Sequence, residues 1–204
     1  MIAENTPEWF AARCGLATAS VLPEIMSSDR SGKAPGAPFH ALVAEKVVEI
    51  LEGSPRQTPT TWAMQRGVEL EPVALAVYAA QVGMTVEKPG LLLIDSPRFG
   101  ASPDAIRSDG VLVEVKCPDS PARLLKACRG DVEEYRDQVQ GQILVTGAKR
   151  CDLVIFNDRF PPDIALTVIG IERDEAHIAR IVQRVERFNE AVQRSLTEFR
   201  GARK

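Results

Sequence analysis

The sequence predicts one mixed α/β domain, a central sheet flanked by helices. Three observations carry that expectation. Helix-periodic segments fill the N-terminal part, short apolar runs with one helical interruption fill the middle, and a long helical stripe closes the chain. Hydrophobic residues make up 45% and charged residues 26% of the 204, which is ordinary for a globular chain with one sizeable core. No apolar run approaches the roughly 20 residues of a membrane-spanning helix, and MIAENTPEWF has neither the basic nor the apolar region of a secretory leader.

Each element has a local reason. Residues 1–26 read as a short helical opening, with Trp9, Phe10 and Leu16 as apolar anchors. SSDRSGKAPG, 27–36, is a Ser-, Gly- and Pro-rich loop. Phe39, Leu42, Val43, Lys46, Val47 and Ile50 then recur at helical spacing until Gly53. SPRQTPT, 54–60, breaks the chain again. WAMQRGVELEPVALAVYAAQVG, 62–83, is helical, with Pro72 near a start or kink, Gly83 at its end, and Leu70, Val73, Ala74, Val77 and Tyr78 as its buried stripe. LLLID, 91–95, is a strand, and RFGASPDAI leads into a hairpin with VLVEVKC, 111–117. DVEEYRDQVQGQILVTG, 131–147, is a helix ended by Gly147. CDLVIFND, 151–158, and IALTVIGIE, 164–172, are strands. Asp174 caps a last helix whose stripe runs Ile178, Ile181, Val182, Val185, Phe188, Val192, Leu196 and Phe199, as core or as a subunit contact. The GARK tail is expected to fray. The domain thus divides into a helical part over 1–60, a sheet-bearing core over 61–172 and a C-terminal helix over 173–204.

Composition narrows the function classes. Cys14, Cys117, Cys128 and Cys151 form no CxxC pair, which disfavours zinc and iron–sulfur frameworks and fits reduced thiols in a cytoplasm. A net charge of −3 does not mark a nucleic-acid binder, yet a nuclease keeps carboxylates for its metals and can cluster its basic groups on one face.

The hairpin carries the chemistry. Alternation puts Val111, Val113 and Val115 on one face and Leu112, Glu114 and Lys116 on the other. The loop Ser108-Asp109-Gly110, with glycine in the left-handed third position, pairs Arg107 with Val111 and sets Asp104 opposite Glu114. Opposed carboxylates on one face, with Cβ atoms about 4.5–5.5 Å apart, repel unless a cation lies between them. The plain reading is a surface hairpin with a cross-strand ion pair. The sharper one is a Mg²⁺ site on Asp104 and Glu114, with the Val115 carbonyl as a third ligand and Lys116 holding a water or meeting phosphate charge.

SPD…EVK resembles the PD-(D/E)XK nuclease signature. Its wider setting, SPDAIRSDGVLVEVKCP, is similar to the corresponding segment of the lambda exonuclease and YqaJ-type viral recombinase family. RGVELEP, 66–72, YRDQVQGQILVTG, 135–147, with its Tyr-x-x-Gln-x-Gln pattern, IERDE, 171–175, and the early R…TAS, 13–20, match in the same order, so the resemblance spans about residues 7–200. It implies a restriction-endonuclease-like core and a 5′→3′ exonuclease on linear double-stranded DNA. The enzyme would use two Mg²⁺ ions per site, with Mn²⁺ substituting, release mononucleotides and leave 3′ single strands for annealing. The resemblance places metal ligands at Asp104, Glu114, the Val115 carbonyl and Glu71, the catalytic lysine at Lys116, and a helical glutamine at Gln138. It places a 5′-phosphate pocket at Arg13, Ser20 and Ser102. It further implies a homotrimeric ring threaded by DNA, a phage single-strand annealing protein as partner, and the cytoplasm of a bacterial host. A PD-(D/E)XK endonuclease of repair or restriction type, and a DNA-binding domain without catalysis, are the alternatives.

Each residue also has a plain reading. Glu71 suits the first turn of a helix, where the dipole favours acids. Gln138 with Tyr135 and Gln142 suits a solvated helix face. Arg13 suits a surface ion pair, Ser20 a helix cap, and His177 a local contact near the Asp174 cap. Lys126, Arg129, Lys149 and Arg150 suit either a DNA path or a solvated charged face.

Overall fold

A computed structural model describes residues 2–3, 6–56 and 61–202. Residues 57–60 of the expected breaker segment and the last two of the GARK tail lie outside the described residues.

Four helices come first: α1 (Pro7–Arg13), α2 (Leu22–Met26), α3 (Ala37–Glu52) and α4 (Trp62–Val82), with a 3-10 turn at Ala19–Val21 before α2. Gly53, Gly83 and Gly147 end their helices at φ of 71°, 67° and 72°, the left-handed geometry that glycine adopts without a Cβ penalty. Pro72 lies inside α4, so Glu71 is a mid-helix residue and not a first-turn one.

The strands are β1 (Val86–Glu87), β2 (Leu92–Asp95), β3 (Arg98–Ala101), β4 (Ala105–Arg107), β5 (Leu112–Lys116), β6 (Arg150–Phe156) and β7 (Leu166–Glu172). β2 and β3 form a separate hairpin, and the main sheet runs β1-β4-β5-β6-β7. β5 and β6 are parallel and the other pairings antiparallel, so the sheet is mixed as expected. Parallel neighbours need a crossover. Here it contains α5 (Pro121–Cys128) and α6 (Glu133–Thr146). Neither α5 nor β1 was expected: an eight-residue helix and a two-residue strand are too short to show a period.

The sheet is covered on both faces. Val113, Val115 and Val154 pack with Ala74, Leu75 and Tyr78 of α4. Leu112, Leu153 and Ile155 pack with Leu124 of α5, with Tyr135, Val139 and Ile143 of α6, and with Ile178 of α7 (Glu175–Gly201). β5 is therefore an interior strand, and the outer polar face expected of a surface hairpin does not exist. The stripe expected on α4 is also corrected. Val73 is 47% and Val77 38% exposed, while Leu75 takes their place in the core.

A third cluster joins α2, α3, α7 and β3, with Phe39 and Phe188 edge-to-face at 5.5 Å. The stripe of α7 is mainly core, with Phe199 left exposed. Asp174 caps α7 by accepting the His177 N–H at 3.0 Å, and His177 Nε2 lies 2.7 Å from Asp137 Oδ1 of α6. All four cysteines are free, with Cys151 buried and the other three partly buried. No described helix is long and apolar enough to cross a membrane.

Candidate active site

The hairpin register follows the sequence. Ala105 faces Val113, Ile106 faces Leu112, and the Arg107 N–H donates to the Val111 carbonyl at 2.9 Å around a loop with Gly110 at φ 88°. One residue further back and just outside β4 comes Asp104, close enough to Glu114 for the charge of one to act on the other.

Glu114 is 2% exposed. A buried carboxylate must be paired and hydrogen-bonded, and this one is. Its Oε1 accepts from Lys116 Nζ at 2.7 Å and from Gln138 Nε2 at 2.6 Å, and its Oε2 accepts from Gln142 Nε2 at 2.6 Å. Lys116 Nζ also donates to Gln138 Oε1 at 3.0 Å and lies 5.7 Å from the centre of the Tyr135 ring. Burial works against the charged form of Lys116, but the charge and hydrogen bond of Glu114 outweigh it, and the ammonium is held above its ordinary pKa.

Asp104 Oδ2 accepts the Val115 N–H at 2.7 Å, which ties the acid to the edge of β5. Burial first, and then the charges of Glu114 and Glu71, push the Asp104 carboxyl well above the usual carboxylate range. Glu71 reaches this corner from α4, but its carboxylate is hydrogen-bonded to Lys88. Among the described residues no three His, Cys, Asp or Glu side chains converge closely enough to hold a metal. The structure therefore gathers Asp104, Glu114, Lys116 and Gln138, and leaves Glu71 paired with Lys88 at the margin. The residues present still fit a hard divalent cation. The donors are carboxylate oxygens, and acid charge accumulates at Asp104 beyond what one lysine offsets.

The expected phosphate residues are less closely gathered. The Gly100 N–H donates to the Ala17 carbonyl at 3.0 Å, and Thr18 bridges Gly100, so the TAS segment lies along β3 near Ser102. Ser20 is exposed, with its hydroxyl 3.1 Å from that of Thr18, so it is not the helix cap of its plain reading. Ser102 Oγ is buried without a partner among the described residues. The Arg13 guanidinium lies 4.3 Å from the centre of the Trp9 ring. Arg13, Trp9, Thr18, Lys46 and Arg56 line one cavity of about 990 Å³.

Two side chains of the site were not among the expected site residues, and their plain reading as a solvated face is wrong. Tyr135 is 6% and Gln142 1% exposed. Their spacing with Gln138 marks one helix face, but a polar face reads as solvated unless it is known to meet a charge. Arg150, one candidate for the DNA path, is committed to the buried Asp152 at 2.7 Å.

Residues 8–149 match the model of the YqaJ-like viral recombinase domain. The chain is 36% identical to the alkaline exonuclease LHK-Exo of Laribacter hongkongensis, with a TM-score of 0.83 and 97% of each chain covered. A second structure of LHK-Exo, in complex with dAMP, gives 35% identity, a TM-score of 0.84 and the same coverage. A phage-related exonuclease from Haemophilus somnus 129PT shares the fold at a TM-score of 0.72 and 17% identity, over 90% of this chain and 96% of that one. No curated protein matches the chain.

Proposed function

This chain belongs to the YqaJ-like viral recombinase domain family, and from that premise we propose that it is a Mg²⁺-dependent 5′→3′ exonuclease on linear double-stranded DNA. At the coarser level that the family supports, it is a nuclease of the exonuclease kind acting on DNA. It releases mononucleotides and leaves 3′ single strands for recombination by annealing. The observation that carries the reading is the buried Glu114–Lys116–Gln138 cluster beside Asp104.

Asp104, Glu114 and the Val115 carbonyl would hold the cation, with Glu71 joining a second one on release from Lys88. Bound there, the ions would activate a hydrolytic water and stabilise the leaving oxygen. The protein's own groups do the rest. Lys116, hydrogen-bonded to Glu114 and Gln138, would hold a water beside the cation or donate to charge developing on the phosphate. Gln138 fixes the Lys116 amine and Glu114 at once. Arg13, Ser20 and Ser102 take the terminal 5′-phosphate, which carries more charge than an internal diester. The dAMP bound to LHK-Exo, a nucleoside monophosphate, supports a site of that kind.

A chain with net charge −3 does not hold DNA by a broadly basic surface. A homotrimeric ring with its basic residues in the channel retains the substrate topologically, and a phage single-strand annealing protein receives the exposed strand in the bacterial cytoplasm.

The test is digestion of end-labelled linear duplex and closed circular duplex, with and without Mg²⁺ or Mn²⁺. Linear DNA should be lost from its 5′ ends while circles survive. Rapid cutting of closed circles would replace this reading by an endonuclease. No cleavage of either substrate with metal present would replace it by a non-catalytic DNA-binding domain.

A further inference from the structure

Three donors reach the Glu114 carboxylate: Lys116 Nζ and Gln138 Nε2 on Oε1, and Gln142 Nε2 on Oε2. An ionised carboxylate offers about four lone-pair positions, two on each oxygen. Both positions on Oε1 are used and one on Oε2, which leaves a single position on Oε2. We propose that Gln142 is a positioning residue whose amide fixes the plane of the Glu114 carboxylate and so reserves that last Oε2 position for a divalent cation. The inference rests on the metal-dependent reading above and deepens it.

Two features of Gln142 support this role. The residue is 1% exposed, yet its Oε1 has no partner among the described residues. Burying an amide carbonyl without a donor is unfavourable. The amide nitrogen offsets that by donating to a buried carboxylate, in a stretch of α6 where Val139 and Ile143 are fully buried core. The amide's use is therefore its N–H on Glu114. Gln142 also lies one turn after Gln138, so a single rigid helix delivers both amides to one carboxylate. Without the Oε2 donor, the carboxylate can turn about its last bond and the free position is no longer aimed.

The test is calorimetric titration of Mn²⁺ into DNA-free protein, for wild type, Glu114→Ala, Gln142→Met and Gln142→Leu, with thermal melting in EDTA for each. Loss of a partner that orients a metal ligand lowers affinity by about 10–100-fold. The two Gln142 variants should therefore fold, melt modestly below wild type because Glu114 Oε2 loses its donor, and bind Mn²⁺ at least about tenfold more weakly, while Glu114→Ala loses the site. Wild-type affinity in the Gln142 variants, with loss in Glu114→Ala, would overturn the positioning role and leave the metal reading standing. Mn²⁺ binding that does not depend on Glu114 would overturn both. Weaker Mn²⁺ binding only because both Gln142 variants are unfolded at the titration temperature would make Gln142 a structural residue and end the proposal.

Discussion

Gly141→Ala tests how closely α6 must press on the N-terminal segment for the site to form. A Cβ at position 141 would lie 2.3 Å from Leu22 Cδ1, 3.2 Å from Phe99 Cζ and 3.3 Å from Ala19 Cβ. Carbon atoms in good contact sit about 3.5–4.0 Å apart, so either α6 retreats by roughly 1 Å or Leu22 leaves its rotamer. Leu22 and Phe99 are 0% exposed and Ala19 2%, so none of them can swing into solvent. Overpacking of this kind costs about 1–3 kcal/mol. Alanine recovers up to about 1 kcal/mol of helix propensity over glycine. The net loss, up to about 2 kcal/mol, lowers Tm by up to about 8 °C for a chain of this size. Activity should fall further than stability accounts for, because Gln138 and Gln142 move with the helix. A misplacement of about 1 Å can cost roughly 100-fold in rate. The assay is calorimetric melting in EDTA, with the initial rate of linear-duplex digestion measured well below Tm. Gly67→Ala is the melting control. A Cβ there meets nothing within 4 Å in α4, so alanine should stabilise by about 0.5–1 kcal/mol. A Gly141→Ala protein that melts at or above wild type and digests DNA at full rate would refute the packing argument.

Three further outcomes are expected. Lys116→Ala should lower cleavage by about two orders of magnitude or more while the DNA-free protein still binds Mn²⁺, and near wild-type turnover would remove Lys116 from the mechanism. Arg13→Ala should slow digestion of 5′-phosphorylated duplex far more than of 5′-hydroxyl duplex, and a wild type that degrades both ends equally would dispose of the phosphate pocket. Burial and the Asp152 hydrogen bond push Tyr78 up to about 12, and burial raises Tyr135, so Tyr78 should not ionise near pH 10 in the folded protein and Tyr135 should titrate above a free tyrosine. An acid whose folded pKa is raised destabilises the fold above its unfolded pKa, so stability should decline from about pH 10. A tyrosinate absorbance midpoint near pH 10 in folded protein would contradict the burial.

The parts legible in the sequence are those with local causes. Alternation in VLVEVKC and the glycine of Ser108-Asp109-Gly110 were enough to fix the pairing of Ala105 with Val113 and so bring Asp104 beside Glu114, because a short hairpin's register depends on its own loop. Gly53, Gly83 and Gly147 ended their helices, Asp174 began α7, and the stripe from Ile178 to Leu196 became core, since caps and periodicity act within a turn or two. The family was legible too, because its motifs are short and ordered.

What only the tertiary structure decided concerns what each face meets. Periodicity shows that Tyr135, Gln138 and Gln142 share a side of α6, but not that a buried Glu114 lies opposite, so Gln138 was placed in the site by resemblance alone and Gln142 was not placed there. It groups Val73 and Val77 with an apolar stripe, but the rotation of α4 on the sheet exposes both. The parallel pairing of β5 with β6 gave β5 two covered faces and buried Glu114, which pairs with Lys116 of its own strand instead of across the hairpin. Glu71 found Lys88 through the fold of the intervening chain, and α5 and β1 exist because of what they pack or pair against. These outcomes depend on contacts between residues far apart in the chain. Local periodicity and capping hold no information about such contacts, because burial and pairing energies arise only once the elements meet.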